Sequence, residues 1–216
     1  MRFIIPLVIV SFAGNLLGAA DWPQWLGPNR NATSTEKVAP WKDAPKTAWH
    51  VAVGDGHSSP VVADGRVFIL SKGEGDSEEV ACFDAGSGKD LWKKSYQRGQ
   101  FSSEFGNGPR ATPAVVGKHV YTFGVTGILS CFDVKDGTRV WQVDTLKEYK
   151  AKNLRFGMSG SPLVDDGKVF VNVGAKGASV VAFDADTGKE VWKALDDGAS
   201  YSSPIVFGEG KQRQLV

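Results

Sequence analysis

The sequence predicts an all-β protein built from repeated four-stranded antiparallel sheets, and three observations indicate this class. An eleven-residue phrase occurs three times, as CFDAGSGKDLW from position 82, CFDVKDGTRVW from position 131 and AFDADTGKEVW from position 182. The 216 residues include 26 glycines, 10 prolines and 7 tryptophans, a composition typical of short strands joined by turns. Counted from Trp49, the tryptophan of the repeat recurs after 43, 49 and 51 residues, which is the period of blade-sized units.

The first repeat divides into four strands. An Asp-Gly pair at 64–65 joins two apolar runs and predicts a tight hairpin between the first and second strands. The third repeat has the same pair at 166–167, and the second has Gly117 there. In the phrase itself Asp84 ends the third strand, and Gly88 ends a turn where glycine adopts a positive φ without steric cost. The fourth strand follows and carries the tryptophan.

Both faces of these sheets are predicted to be buried. Apolar residues follow one another without alternation, for example from Val80 to Phe83, and such runs are typical of strands covered on both sides. A four-stranded antiparallel sheet flanked by copies of itself is the blade of a β-propeller. The sequence therefore predicts a partial β-propeller, about three and a half blades of a ring of about seven or eight.

The repeats also predict the domain boundaries. Residues 1–20 are interpreted as a secretory signal peptide, because Arg2 precedes an apolar run that ends in small residues; an uncleaved membrane anchor is the alternative. Residues 21–46 are an extended N-terminal segment, and the propeller spans 47–216. Its predicted parts are a ring-closing outer strand at 47–53, blade 1 at 57–96, blade 2 at 110–145, blade 3 at 159–195 and the start of blade 4 at 200–216.

The two ends of the predicted propeller are incomplete. The stretch KTAWHVAV around Trp49 matches a fourth strand but has no third strand before it, so we expect it to complete the last blade of a ring. The sequence stops inside what should be the second strand of blade 4. We therefore interpret it as the N-terminal fragment of a longer protein, whose open sheet edges favour aggregation.

The phrase A-x-D-x-x-T-G-K-x-x-W, seen best at 182–192, resembles the repeat of pyrroloquinoline-quinone (PQQ) type propellers. The stretches DWPQWLGPNRNATS, GNGPRATPAV and GASYSSPIV resemble exported bacterial members of that family. The same repeat serves quinoprotein dehydrogenases and non-catalytic proteins similar to the outer-membrane assembly factor BamB. The resemblance implies that the repeated tryptophans dock flat between adjacent blades, which assigns this role to Trp49, Trp92, Trp141 and Trp192.

Quinone dehydrogenases of this fold are expected to hold calcium through carboxylate and amide oxygens and to use an aspartate as base. Asp84, Asp133 and Asp184 recur at one place in every repeat, which indicates turn formation instead of ligation. The two cysteines, Cys82 and Cys131, occupy equivalent positions as small buried residues, too far apart for a disulfide. No catalytic residue and no metal ligand is assigned, and PQQ with calcium is expected only if further blades supply the ligands.

Two long connectors, at about residues 97–109 and 146–158, link the outer strand of one blade to the inner strand of the next. Both open on one face, and insertions on one rim usually build a binding surface. The second connector carries four basic residues against one acidic residue, which favours an acidic partner; a solvated, mobile loop is the alternative. The predicted contact residues are Phe101, Phe105, Asn107, Arg110, Arg155 and Phe156.

These features favour a non-catalytic binding or scaffold module of the cell envelope, exported to the periplasm or outside the cell, because the motifs supply no nucleophile, metal cage or general base. Its expected partner is an envelope protein or another periplasmic ligand. A PQQ-dependent alcohol or sugar dehydrogenase and a sensor or adaptor propeller are the alternatives. A formal net charge of +1 gives no basis for binding nucleic acid, and no membrane span is expected after signal removal.

Overall fold

Strands in sequence order form three consecutive four-stranded antiparallel sheets and then a two-stranded hairpin. The computed structural model describes residues 20–37 and 39–216. The predicted signal peptide at 1–20 falls, except for its last residue, outside these described residues. The prediction of an all-β, partial β-propeller is confirmed, with each sheet forming one blade.

The strand boundaries are similar from blade to blade. Blade 1 consists of β1 (Val61–Ala63), β2 (Arg66–Lys72), β3 (Ser77–Asp84) and β4 (Asp90–Gln97). Blade 2 consists of β5 (Ala114–Val116), β6 (His119–Phe123), β7 (Ile128–Asp133) and β8 (Arg139–Asp144), and the one-turn helix α1 (Thr145–Glu148) follows it. Blade 3 consists of β9 (Leu163–Asp165), β10 (Lys168–Ala175), β11 (Ala178–Asp184) and β12 (Glu190–Ala194). The last hairpin pairs β13 (Val206–Phe207) with β14 (Gln214–Leu215).

The first turn of blade 1 is the predicted two-residue hairpin. Ala63 pairs with Arg66 across it, and Asp64 and Gly65 have φ angles of 48° and 68°. Two successive left-handed residues twist the backbone in the same sense as the strands. Blade 3 uses the same turn at 166–167, with φ angles of 46° and 69°.

A β-bulge at the end of the third strand aligns each tryptophan with a small residue. In blade 1 the register shifts between Cys82 and Phe83, so that Cys82 lies opposite Trp92. Blades 2 and 3 shift at the same place, which puts Cys131 and Ala182 opposite the tryptophan in their own blades. The small side chain accommodates the indole of the neighbouring strand, and the two cysteines are buried and free.

The hydrophobic core lies in the seams between blades. One cluster joins Phe68 and Val80 of blade 1 to Val120 and Phe132 of blade 2. A second cluster joins blade 2 to blade 3, for example through Leu129 with residues of β10 and β11. Because each sheet packs on both faces, its strands need apolar residues at consecutive positions.

Three tryptophans extend across these seams. The indole nitrogen of Trp92 donates to the carbonyl oxygen of Val134 in the next blade over 3.0 Å, and that of Trp141 donates to Ala185 over 2.9 Å. Trp49 makes the equivalent bond to the turn of blade 1, also over 2.9 Å. Residues 47–53 form no strand pairing within the described part of the chain.

The glycine of each phrase makes room for the tryptophan of the preceding repeat. Gly137 has a φ of 71°, and a Cβ atom on it would lie 2.5 Å from Cε3 of Trp92. Gly188 has the same relation to Trp141, at 2.6 Å from Cδ2. The turn therefore requires glycine for two reasons, its left-handed backbone and the indole that lies against it.

The segment that precedes blade 1 runs along the inner strands. Trp22 pairs with Val62 of β1 through two backbone hydrogen bonds of 2.9 and 3.0 Å, and the carbonyl oxygen of Pro23 accepts from the amide of Val115 in β5 over 2.8 Å. Inner strands surround the central channel of a propeller. The N-terminal segment therefore lies against the channel side of blades 1 and 2. In the described residues we find no helix with the length and apolarity to cross a bilayer.

Candidate functional site

Both long connectors and the loop after blade 3 meet on one face of the propeller. The rings of Phe105 and Phe156, one from each connector, are in edge contact with centroids 5.3 Å apart. The ring of Tyr201, from the loop after blade 3, lies 5.8 Å from Phe156, and its hydroxyl accepts a hydrogen bond from the Phe156 amide over 3.3 Å. We call these three residues the aromatic shelf. Phe105 is 59% exposed and Tyr201 46% exposed, so the shelf presents apolar surface to solvent.

Arg155 extends over the shelf from the second connector. Its guanidinium lies 5.3 Å from the centroid of the Phe156 ring and pairs with the carboxylate of Glu104 in the first connector over 2.8 Å. Both side chains of this ion pair are exposed, so its contribution to stability is small, at most about 1 kcal/mol. Arg155 is therefore free to exchange Glu104 for an acidic group of a ligand.

Arg110 lies deeper and organises the first connector. Its guanidinium donates to the carbonyl oxygens of Gly106 and Gly108 and lies 5.3 Å from the ring centroid of Phe101. Burial, together with the nearby Arg98 guanidinium, lowers the pKa of Arg110. Phe101 and Arg110 thus shape the loop that carries the aromatic shelf.

Asn107 is also a loop-forming residue. Its side-chain oxygen accepts from the amide of Ser103 over 3.0 Å. Nearby, Nε2 of His57 donates to the carbonyl oxygen of Phe105 over 2.8 Å. The six rim residues predicted from the sequence lie in, or directly after, the two connectors that meet here; Phe105 and Phe156 belong to the shelf and Arg155 borders it. Sequence reasoning did not find Tyr201, whose loop is short, or His57.

Every inner strand is preceded by a hydroxyl residue followed by proline, and these hydroxyls are linked from blade to blade. The amide of Ser59 donates to Oγ1 of Thr112 over 3.3 Å, the amide of Thr112 to Oγ of Ser161 over 2.9 Å, and the amide of Ser161 to Oγ of Ser203 over 2.8 Å. We call these four residues the hydroxyl collar. A Ser/Thr-Pro pair recurs in every repeat, but no role was predicted for these hydroxyls from the sequence.

A cavity of about 480 Å³, here called the collar cleft, connects the hydroxyl collar to the aromatic shelf. Besides the collar residues, its walls include Trp25 of the N-terminal segment, His57, Arg110 and Tyr201. None of the described residues that line this cavity is acidic. The described lining therefore combines hydroxyl and guanidinium donors with apolar surface from Trp25 and Ile205, and it has no carboxylate.

Arg30 fixes the N-terminal wall of the cleft to blade 3. Its guanidinium donates to the carbonyl oxygens of Ser161 and Pro162 over 3.2 and 3.1 Å and lies 5.3 Å from the Trp25 ring. Burial lowers the pKa of Arg30 to about 10, which still leaves it charged at neutral pH. The position of Trp25 thus depends on a contact between residues far apart in sequence.

A second buried arginine lies beside the first connector without a polar partner for its side chain. Arg98 is 6% exposed, and none of its three guanidinium nitrogens has a hydrogen-bond partner in the described residues. Its charged group lies 5.9 Å from the ring of Phe101. The nearby carboxyl group of Glu78 bonds instead to Tyr96 and Val125, and burial raises the pKa of Glu78. Glu78 therefore makes no hydrogen bond to the Arg98 guanidinium, although the charge of Arg98 acts on the Glu78 carboxyl.

Within the described residues the channel side presents no set of calcium ligands. No group of three or more His, Cys, Asp or Glu residues is arranged to hold a metal ion there. Calcium requires several oxygen ligands, usually including carboxylates, and the collar cleft has none. Trp22 and Pro23 also occupy the backbone edges of β1 and β5 that face the channel. The recurring Asp84 and Asp184 accept hydrogen bonds from residues three positions ahead in their own turns.

Comparison with known proteins assigns this chain to a family. The model of the family described as outer membrane protein assembly factor BamB matches residues 76–209. A BamB from Kangiella koreensis is 29% identical over 161 residues, which cover 74% of this chain and 37% of that protein. The quinohemoprotein alcohol dehydrogenase ADH-IIG from Pseudomonas putida is 32% identical over 145 residues, covering 63% of this chain and 19% of that enzyme.

The solved structures support the same architecture. The quinohemoprotein alcohol dehydrogenase from Comamonas testosteroni aligns with a TM-score of 0.54 at 22% identity, over 80% of this chain and 26% of the enzyme. At this identity the likeness concerns the fold alone. The chain spans about a fifth to two fifths of the length of these relatives, so it corresponds to part of each of their propellers.

Proposed function

This chain belongs to the outer membrane protein assembly factor BamB family, and from that premise we propose that it is an exported, non-catalytic binding or scaffold module of the cell envelope. The signal peptide predicted at 1–20 directs the export. Its partner is an envelope protein or another periplasmic ligand, bound at the connector rim.

The exposed aromatic shelf is the observation that carries this proposal. Phe105, Phe156 and Tyr201 come from three different loops and touch one another at the surface. Monomeric proteins bury most large aromatic side chains, and exposed aromatic clusters with arginine at their border are typical of the centres of protein interfaces. The surrounding rim is basic, because Lys147, Lys150 and Lys152 are exposed on the second connector.

Site-specific photo-crosslinking tests this surface. A photoreactive amino acid replaces Phe105 in the protein expressed in its own envelope, and a matched variant carries it at Leu91, which is 44% exposed on the outer strand of blade 1. We expect one discrete adduct from position 105 that is absent from position 91. Equal labelling at both positions, or none at 105, would contradict a partner at the rim.

A quinone-dependent dehydrogenase is the second candidate, favoured by the 32% identity to a quinohemoprotein alcohol dehydrogenase. The collar cleft offers no carboxylate for calcium, which favours the binding module. The purified protein is incubated with PQQ, calcium and an electron-accepting dye in the presence of alcohols or aldoses. We expect dye reduction no faster than in the control without protein. Substrate-dependent reduction would contradict the proposed binding module and support the dehydrogenase.

A further inference from the structure

We propose that the collar cleft binds a carboxylate group of the partner, an acidic side chain that enters it while a neighbouring apolar residue rests on the aromatic shelf. This inference rests on the proposed function and adds the chemistry by which the partner is recognised.

The hydroxyl collar presents donors to the cleft. Thr112, Ser161 and Ser203 each use their oxygen to accept the backbone amide of the preceding blade. Among the described residues none of these three hydroxyl groups donates a hydrogen bond, so each retains its O–H. A buried donor without an acceptor is unfavourable, and Thr112 and Ser161 are only 4% and 3% exposed. The collar therefore favours a ligand that brings acceptor atoms.

The charge around the cleft has the sign that a carboxylate requires. Arg110 lines the cavity, and the buried guanidinium of Arg98, which contacts the same Phe101 ring, has no hydrogen-bond partner in the described residues. No acidic residue lines the cavity to compete with the ligand. A carboxylate would supply two oxygens with several acceptor sites to these donors, and bonds of this charge-assisted kind are about twice as strong as neutral ones.

The occupant is a side chain of a larger partner because the cleft is continuous with the shelf. Tyr201 belongs to both, since it lines the cavity and its ring lies 5.8 Å from that of Phe156. The cavity of about 480 Å³ has room for an acidic side chain together with water. An extended segment with an aromatic residue beside a glutamate would place one group on the shelf and the other in the cleft.

The test compares two labelled peptides on the same protein. The probes are acetyl-Gly-Phe-Glu-Gly-amide and its counterpart with glutamine in place of glutamate, each carrying a fluorophore, and fluorescence anisotropy measures binding to the purified protein. We expect the glutamate peptide to bind about tenfold more tightly, the value of one charged hydrogen-bonding group. Because this comparison uses the unaltered protein, it does not depend on the folding of any variant. Equal affinities would overturn the proposal.

Variants locate the recognised group. Thr112→Val keeps the side-chain volume but removes the O–H donor together with the acceptor of the Ser59 amide, and we expect it to reduce the preference for glutamate to about threefold or less. Thr138→Val removes an exposed hydroxyl outside the cleft and serves as the matched control, for which the tenfold preference should remain. A preference that survives Thr112→Val unchanged in a protein with normal circular dichroism would place the carboxylate elsewhere and overturn the site.

Two further outcomes separate this inference from the proposed function. If crosslinks form at position 105 but the two peptides bind equally, the carboxylate site is wrong and the rim surface stands. If acetate or inorganic phosphate competes equally well against both peptides, the cleft takes a free anion and the proposed acidic side chain is wrong. Competition by acetate against the glutamate peptide alone supports the proposal.

Discussion

Trp92 and Trp192 occupy the same position of the same eleven-residue phrase, yet their surroundings differ. Trp92 is 8% exposed, donates to the carbonyl oxygen of Val134 and lies against Gly137 of the next blade. Trp192 is 37% exposed, and its indole packs within its own blade, 5.7 Å from the ring of Phe170. It borders an apolar groove of about 490 Å³ that also includes Ile205.

The difference shows that one copy of the phrase supplies only one of the two surfaces that bury its tryptophan. Each repeat offers an indole on one flank and a glycine turn on the other, and burial results only where the two halves of neighbouring blades meet. Nearest-neighbour interfaces of this kind dominate the stability of repeat architectures. The energetic value of each tryptophan therefore depends on its neighbour more than on its own blade.

The largest expected effect is the loss of a covered indole. Trp92→Ala removes a side chain from a filled seam together with its hydrogen bond, and we expect the free energy of unfolding to fall by about 4 kcal/mol. In this 216-residue chain no further repeat phrase follows Trp192, so Trp192→Ala removes the same atoms from a half-covered site, and about 1 kcal/mol is expected. Urea denaturation monitored by circular dichroism measures both values. Equal losses for the two variants would show that the covering blade adds nothing to the stability contributed by the indole.

The glycine turn should respond almost as strongly. Gly137→Ala forces a left-handed alanine and a Cβ atom into the face of Trp92, so we expect a loss of about 3 kcal/mol. Gly167→Ala is the matched control, because its φ is 69° and no atom lies within 4 Å of the added Cβ. Strain alone should lower its free energy of unfolding by about 1 kcal/mol. If thermal and urea unfolding give the two alanine variants the same stability, the indole does not require this glycine.

The aspartate of the phrase should have the smallest effect, and one that depends on pH. Hydrogen bonds from the hydroxyl and amide of Thr187 lower the pKa of Asp184 from its ordinary value of 3.8. The lowered pKa means that its contribution to stability is present above pH 3.8 and is lost as the pH falls through the folded-state value. Asp184→Asn should therefore be slightly less stable than the natural protein at pH 7, and the difference should vanish in acid.

Denaturation curves between pH 7 and pH 2 measure this dependence. Asp197→Asn, which changes an exposed aspartate whose carboxylate makes no hydrogen bond in the described residues, is the control and should leave the curve unchanged. A difference between Asp184→Asn and the natural protein that persists below the folded-state pKa would falsify the electrostatic explanation.

Local chemistry made the fold predictable. The hairpin at Asp64, the turn at Gly88 and the consecutive apolar residues of β3 depend on residues within a few positions of one another, and each formed as the pattern indicated. The long connectors were also visible as interruptions of the period. Their residues meet in the structure, where Phe105 contacts Phe156.

The rest of the site depends on contacts between distant positions. The hydroxyl collar links residues 42 to 53 positions apart, and Arg30 reaches a carbonyl 132 positions away. The local periodicity of the sequence does not indicate contacts between positions so far apart. A repeated Ser/Thr-Pro pair was a usable signal for the collar, whereas Tyr201 and the unpartnered Arg98 lie in segments without a pattern.

The sequence by itself determined the blades, because turn conformation and the burial of both sheet faces follow from neighbouring residues and their order. Only the tertiary structure decided which indoles are covered, which donors remain free in the collar cleft and which aromatic rings form the shelf. The physical reason is that burial and hydrogen-bond satisfaction belong to pairs of surfaces, and the second surface of each pair lies about one blade away along the chain.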